Sequence, residues 1–247
     1  MESIIARELK LKYHPTAIIF SNDRPDGAVQ FKENKWGCVV TMLNAVVRGK
    51  TAVFDRKTYG CLGGGVGLGF GDMYKNFEDG IEYFLSNGRG EGYREGECYF
   101  KTPEIARIFI EQLPIVDIPY EYVIFKSLDK VIPEEETPQL IVFLANPDQL
   151  SALVVLANFG RKGGDNVIIP YAAGCHTICL IPYHESKKNH PRAVVGITDI
   201  SARPHIDPDL LSFTVPFKMF QEMEKDVPIS FLKKNAWKKV AKRITKN

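Results

Sequence analysis

The chain has 247 residues, 45% of them hydrophobic and 25% charged, with a formal net charge of +2 and a pI of about 8.2. This is an ordinary globular balance with room for a sizeable core in one domain spanning residues 1–247. It excludes a helical membrane span, because no apolar run reaches the roughly 18–20 residues needed to cross a bilayer. The start, Met1-Glu2-Ser3-Ile4-Ile5-Ala6-Arg7-Glu8, carries acids and has no apolar h-region, so a cytoplasmic protein without signal peptide or membrane partner is expected.

In chain order, Ser3 is placed to cap a short helix over residues 4–11, which His14-Pro15 ends. The β-branched run Thr16–Phe20 predicts a strand, and residues 21–27 carry turn chemistry. Val39, Met42, Leu43 and Val46 give helical spacing after Gly37-Cys38, with Arg48-Gly49-Lys50 as a stop. Thr51–Asp55 reads as a strand, residues 60–71 as a glycine-rich loop, and Asn76 or Glu78 to Asn87 as a helix. Thr102 and Pro103 open a helix to Leu113. Tyr120–Lys126 and Leu140–Leu144 read as strands around a short loop, Pro133 to Pro138. Asn146 caps a helix from Pro147 to Phe159 that Gly160 stops. Val167–Ile169 is a short strand, and Tyr171–Ile181 a helix between Pro170 and Pro182. Ala193–Ile197 and Leu211–Val215 are strands, and Pro216–Glu224 is a helix. These elements predict an α+β protein, its mixed or antiparallel sheet carrying packed helices.

Residues 233–247 hold seven basic residues and no acids. Trp237, Val240, Ala241 and Ile244 recur there at helical spacing, so an amphipathic helix docked on the body is favoured over a nucleic-acid tail. An internal echo is visible as well. Gly37-Cys38 opens a unit of helix, strand and a loop with Cys61; Gly174-Cys175 opens a second with helix, strand and a loop with Arg203. Two similar halves would bring the two cysteines to one site.

The five cysteines, Cys38, Cys61, Cys98, Cys175 and Cys179, are an odd number, which argues against a disulfide framework. Buried thiols, metal ligands and reactive thiolates remain. Cys38 and Cys175 stand at or near helix starts, where the macrodipole and free N–H groups favour a thiolate. Cys179 follows Cys175 by four positions, one helical face, with His176 adjacent, although no paired C-x-x-C accompanies them. Cys61 precedes Gly63, Gly64 and Gly65, whose backbone N–H groups can form an anion nest. Cys61 thus suits a metal or cluster ligand, or a nucleophile beside an oxyanion hole with His176 or His184 as base. Arg203 is a candidate clamp for a carboxylate or phosphate. The glycines match neither a dinucleotide fingerprint nor a P-loop. Cys98, read at a strand edge, has no assigned role.

The runs Trp36-Gly37-Cys38, Arg48-Gly49-Lys50-Thr51-Ala52-Val53, Gly60-Cys61-Leu62-Gly63-Gly64-Gly65 and Leu68-Gly69-Phe70, with Gly174-Cys175 and Phe213-Thr214-Val215-Pro216-Phe217, resemble domain-of-unknown-function family 169 over nearly the whole chain. The resemblance implies a cytosolic single domain with Cys38, Cys61 and Cys175 as positions of interest, and names no reaction. Taken together, the residues favour a thiolate-lined site for an iron–sulfur cluster or transition metal with a redox or sensing role. Cys38, Cys61 and Cys175 would be ligands, Cys179 or His176 a fourth, and Gly63, Gly64, Gly65 and Arg203 would line it. A cysteine-dependent enzyme acting on a small anion, and a binding module using the basic C-terminal helix, are the alternatives.

Overall fold

The computed structural model describes residues 1–91 and 95–244. Along the chain it has α1 (Ile4–Glu8), β1 (Thr16–Ser21), α2 (Val39–Val47), β2 (Ala52–Phe54), α3 (Leu62–Leu68), α4 (Ile81–Phe84), α5 (Pro103–Glu111), β3 (Tyr122–Ser127) and β4 (Leu140–Ala145). Then come α6 (Pro147–Phe159), β5 (Val167–Ile168), a π-helical turn (His176–Leu180), α7 (Ile181–Ser186), β6 (Ala193–Gly196), β7 (Leu211–Pro216), α8 (Phe217–Asp226) and α9 (Asn235–Ala241).

The strands form one sheet in the order β2-β3-β1-β4-β7-β6-β5. Every pair is antiparallel except β5 with β6. Both faces are covered, which is why the central strands are apolar without a break. Ile141, Phe143 and Ala145 of β4 join a core beneath α6 and α8, and Leu140, Val142 and Leu144 join a second core beneath α2. The class is therefore the expected α+β with a mixed sheet. Among the described residues no helix is long and apolar enough to cross a membrane.

Local chemistry explains several boundaries. The Asn146 side chain accepts from the Gln149 amide while Gln149 reaches back to the Asn146 N–H, a reciprocal cap with Pro147 in the first turn of α6. Thr102 caps α5 in the simpler way. The basic C-terminal segment docks as expected. Trp237 is 5% exposed, its indole N–H donates to the Glu8 carbonyl at 3.3 Å, and Ile244 is buried.

Three elements differ from the sequence reading. The glycine-rich stretch is a helix, α3, rather than a loop. The segment expected as a helix from Asn76 or Glu78 to Asn87 holds only the short α4, which starts after Gly80 at φ 88°, and a 3-10 turn, Met73–Asn76, precedes it. The helix expected to stop at Pro182 runs on into α7. A widened π turn just before the proline shifts the carbonyl pairing, so the ring and its missing N–H are accommodated. Cys98 lies outside any strand, at φ 51°.

The sheet order does not confirm the internal echo as a duplication into two halves. β1 and β4 are neighbours at the centre, β3 and β7 flank them, then β2 and β6, and the helical segments after Cys38 and Cys175 precede β2 and β6. Beyond those two strands the units diverge, with α3 after β2 and a 3-10 turn, Arg203–His205, after β6.

Glu185, 1% exposed, anchors the loop between α7 and β6 by accepting from Lys188 at 2.6 Å and from the Arg192 guanidinium at 2.9 Å. Burial alone would raise its pKa, but these two cations outweigh burial and lower it. Its stabilisation is therefore present above the ordinary glutamate range and lost as pH falls through the depressed value. Glu185→Gln is expected to cost about 2 kcal/mol at neutral pH, less than a fully buried pair because both cations are partly exposed. Urea unfolding at several pH values checks this, since the deficit should shrink toward acid.

Candidate functional site

Three cysteines sit where α2, α3 and the π turn meet. Cys38 is the N-cap of α2 in an extended conformation, without a side-chain cap hydrogen bond. Cys61 is the N-cap of α3, and its sulfur accepts from the Gly64 N–H at 3.2 Å. Cys175 precedes the π turn, is 7% exposed, and donates its S–H to the Gly63 carbonyl at 3.1 Å.

Close backbone approach creates this meeting point. A Cβ on Gly67 would lie 2.7 Å from both Cβ and Sγ of Cys175. One on Gly64 would lie 2.5 Å from the Tyr59 carbonyl and 2.9 Å from Val39, and one on Gly174 would lie 2.8 Å from Val40. Helix α3 contains four glycines, each costing ~1 kcal/mol relative to alanine in a helix. The fold accepts that cost and gains helices packed backbone to backbone around the thiols.

The electrostatics tie the three sulfurs together. Burial raises the pKa of Cys38 and Cys61 and pushes Cys175 well up. Cys61 adds to the shifts of Cys38 and Cys175, Cys38 to that of Cys175, and the Asp199 carboxylate to all three. Amides oppose burial in part: those of Val40 and Thr41 at Cys38, and that of Gly64 at Cys61. Unless a cation is present, these are neutral thiols.

Two buried polar side chains complete the surroundings. Asp199 is 4% exposed; Oδ2 accepts from the Ser201 hydroxyl at 3.1 Å, Oδ1 has no hydrogen-bond partner, and burial raises its pKa. His176 is 1% exposed, and burial lowers its pKa to about 4. Its Nε2 is 3.1 Å from the Tyr74 hydroxyl, and Nδ1 has no partner. Among the described residues, no three His, Cys, Asp or Glu side chains stand close enough to hold one metal ion.

The family model of DUF169, described as Uncharacterised ArCR, matches residues 4–226. The chain belongs to this family. Comparisons with curated proteins and with solved structures give no match.

The other candidate residues of this DUF169 chain lie elsewhere or act differently. Cys179 is buried, its pKa raised to about 12 by burial alone, with no contribution from another thiol or from Asp199. Arg203 donates to the carbonyls of Leu210 and Pro208, both at 2.5 Å, and so braces its own loop. Gly63 and Gly64 take part through their backbone, Gly63 by its carbonyl and Gly64 by its amide, and Gly65 packs against Met73. His184 is exposed on α7. Tyr74 and Asp199 were not singled out as site residues by sequence. For Asp199 the available signal was an acid placed just after a β-branched run, with a serine two residues on.

Proposed function

We propose that this protein binds a soft metal ion or an iron–sulfur cluster on Cys38, Cys61 and Cys175, and uses the site for redox chemistry or sensing. The observation that supports the reading is the close approach of the segments carrying Cys38, Cys61 and Cys175, in the Cys175–Gly63 hydrogen bond and in the packing of Gly64 on Val39 and Gly67 on Cys175. Such a cluster has no positive charge of its own to balance ionised sulfurs. A cation would supply it, displacing the thiol protons that burial otherwise retains. Thiol-rich donor sets select soft metals over magnesium or calcium, and the Gly64 N–H on Cys61 is the kind of donor that tunes a sulfur-ligated centre. Loading requires the side chains to close in. Asp199 Oδ1 or His176 Nδ1 would be the fourth ligand.

Metal and acid-labile sulfide analysis of anaerobically purified protein, with a visible spectrum, tests the reading. Iron with sulfide indicates a cluster, and a single metal without sulfide a mononuclear site. Protein that is colourless and metal-free, and that takes up neither zinc nor iron with sulfide on reconstitution, overturns it.

We prefer metal binding to nucleophilic catalysis. A cysteine nucleophile needs a lowered pKa and a base, whereas these pKa values are raised and His176 is engaged with Tyr74. In metal-free native protein the exposed Cys98 is therefore expected to react with iodoacetamide at least ~10-fold faster than Cys38, Cys61, Cys175 or Cys179. Peptide mapping by mass spectrometry reads this directly. Faster labelling of Cys61 would favour the enzyme reading.

A further inference from the structure

A second concave site lies at another part of the fold, a cleft of about 850 Å³ between the loops after α6 and α7 and the start of α8. Arg161, Lys162, Lys187, Lys188, Arg192 and Lys218 line it. Three of these cations are matched: Arg161 by Glu222 at 2.5 Å, and Lys188 and Arg192 by the buried Glu185. Lys162 and Lys218 are exposed and have no ion pair among the described residues, and Lys187 sits 4.4 Å from the centre of the Tyr183 ring. Asp165 is the one further carboxylate on the wall. The cleft thus keeps a positive excess while its struts are already paired.

Its size falls within the roughly 300–1,000 Å³ of small-molecule sites. Pro138, Pro191 and Phe217 supply apolar wall. The first turn of α8 also lies at the wall, and Pro216 provides no side-chain cap for it, which adds the positive end of a helix to the lysines.

We propose that this cleft binds a small organic phosphate carrying two or three negative charges, with Lys162, Lys187 and Lys218 on the phosphates and the apolar wall against the organic part. Arg161 and Arg192 on the same wall are already paired with Glu222 and Glu185. The site shares no residue with the thiol cluster, so each stands or falls without the other.

Calorimetric titration of the full chain with inorganic pyrophosphate and with adenosine diphosphate tests the proposal. Both are expected to bind, the nucleotide at least as tightly, with affinity falling as salt rises because charge dominates the contact. Lys162→Ala/Lys218→Ala should weaken both at least ~10-fold, as expected when two charge-assisted contacts are removed, with an unchanged melting temperature. Cys61→Ser should bind both normally. Pyrophosphate binding without adenosine diphosphate binding would overturn the organic-phosphate assignment. Failure of both probes at about 5 mM, a weak-binding limit near 3 kcal/mol, or unchanged affinity in the double variant would overturn the site. Tighter binding of a single-stranded RNA oligonucleotide than of either small probe would replace it with a nucleic-acid surface.

Discussion

Cys61→Ser is expected to reduce metal loading to under about a tenth of wild type while leaving the fold intact, because a structural soft-metal site rarely survives loss of a thiolate ligand. Serine is close in size and can still accept the Gly64 N–H, so the cap of α3 is retained. The change removes only the soft donor. Cys38→Ser should behave alike, since a serine oxygen can take the place of the sulfur before the Val40 and Thr41 amides. Cys175→Ser keeps a donor for the Gly63 carbonyl and should also lose metal. Cys98→Ser, at an exposed position, and Cys179→Ala, whose pKa shift has no contribution from another thiol, should load normally, with some loss of stability in the second from a buried cavity. Elemental analysis of each variant, beside a urea midpoint to register folding, separates a ligand from a packing residue. The bound metal should also be lost as pH falls, because protons compete for sulfurs whose pKa values burial has already raised. Full loading of Cys61→Ser would remove Cys61 from the ligand set and, with it, the reading that the three thiols act together.

How far this site could be read from sequence depends on whether the signal is local. Helix α6 was legible to the residue because Asn146, Pro147 and Gly160 fix its ends through their own chemistry. Strands β1 and β4 were legible because β-branched and aliphatic runs suit two-sided burial. Helix α3 was not, since four glycines in seven residues oppose helix formation on any propensity scale. Its helical state comes from tertiary packing against Val39, Tyr59, Met73 and Cys175, which a local rule does not contain. The same holds for Pro182, which breaks a helix unless a π turn precedes it. Cys38, Cys61 and Cys175 could be chosen individually by their neighbours; that they meet depends on contacts between segments more than a hundred residues apart, such as Cys175 with Gly63. Asp199 stayed hidden for a related reason: its burial and unpaired oxygen are properties of the assembled site.

Gly67→Ala should destabilise the protein by about 2 kcal/mol, against the gain of roughly 1 kcal/mol that the same change gives in an unconstrained helix. The new methyl would stand 2.7 Å from Cβ and Sγ of Cys175 and 2.9 Å from its carbonyl carbon. A flexible side-chain end could move aside; here the obstacle includes backbone, so α3 and the π turn must separate. Separation would lengthen the Gly63–Cys175 contact of 3.1 Å and withdraw Cys175 from Cys61, so metal loading should fall together with stability. Gly164→Ala is the matched control, because nothing lies within 4 Å of its added Cβ, and it should be neutral or slightly stabilising. Urea unfolding and metal analysis on the two variants test the close approach and its consequence separately. A stabilised Gly67→Ala would mean that α3 is free of the π turn, and that the four glycines serve something other than bringing the thiols together. A destabilised variant that still loads metal fully would mean that the close approach serves the fold alone, and that Cys175 lies outside the ligand set.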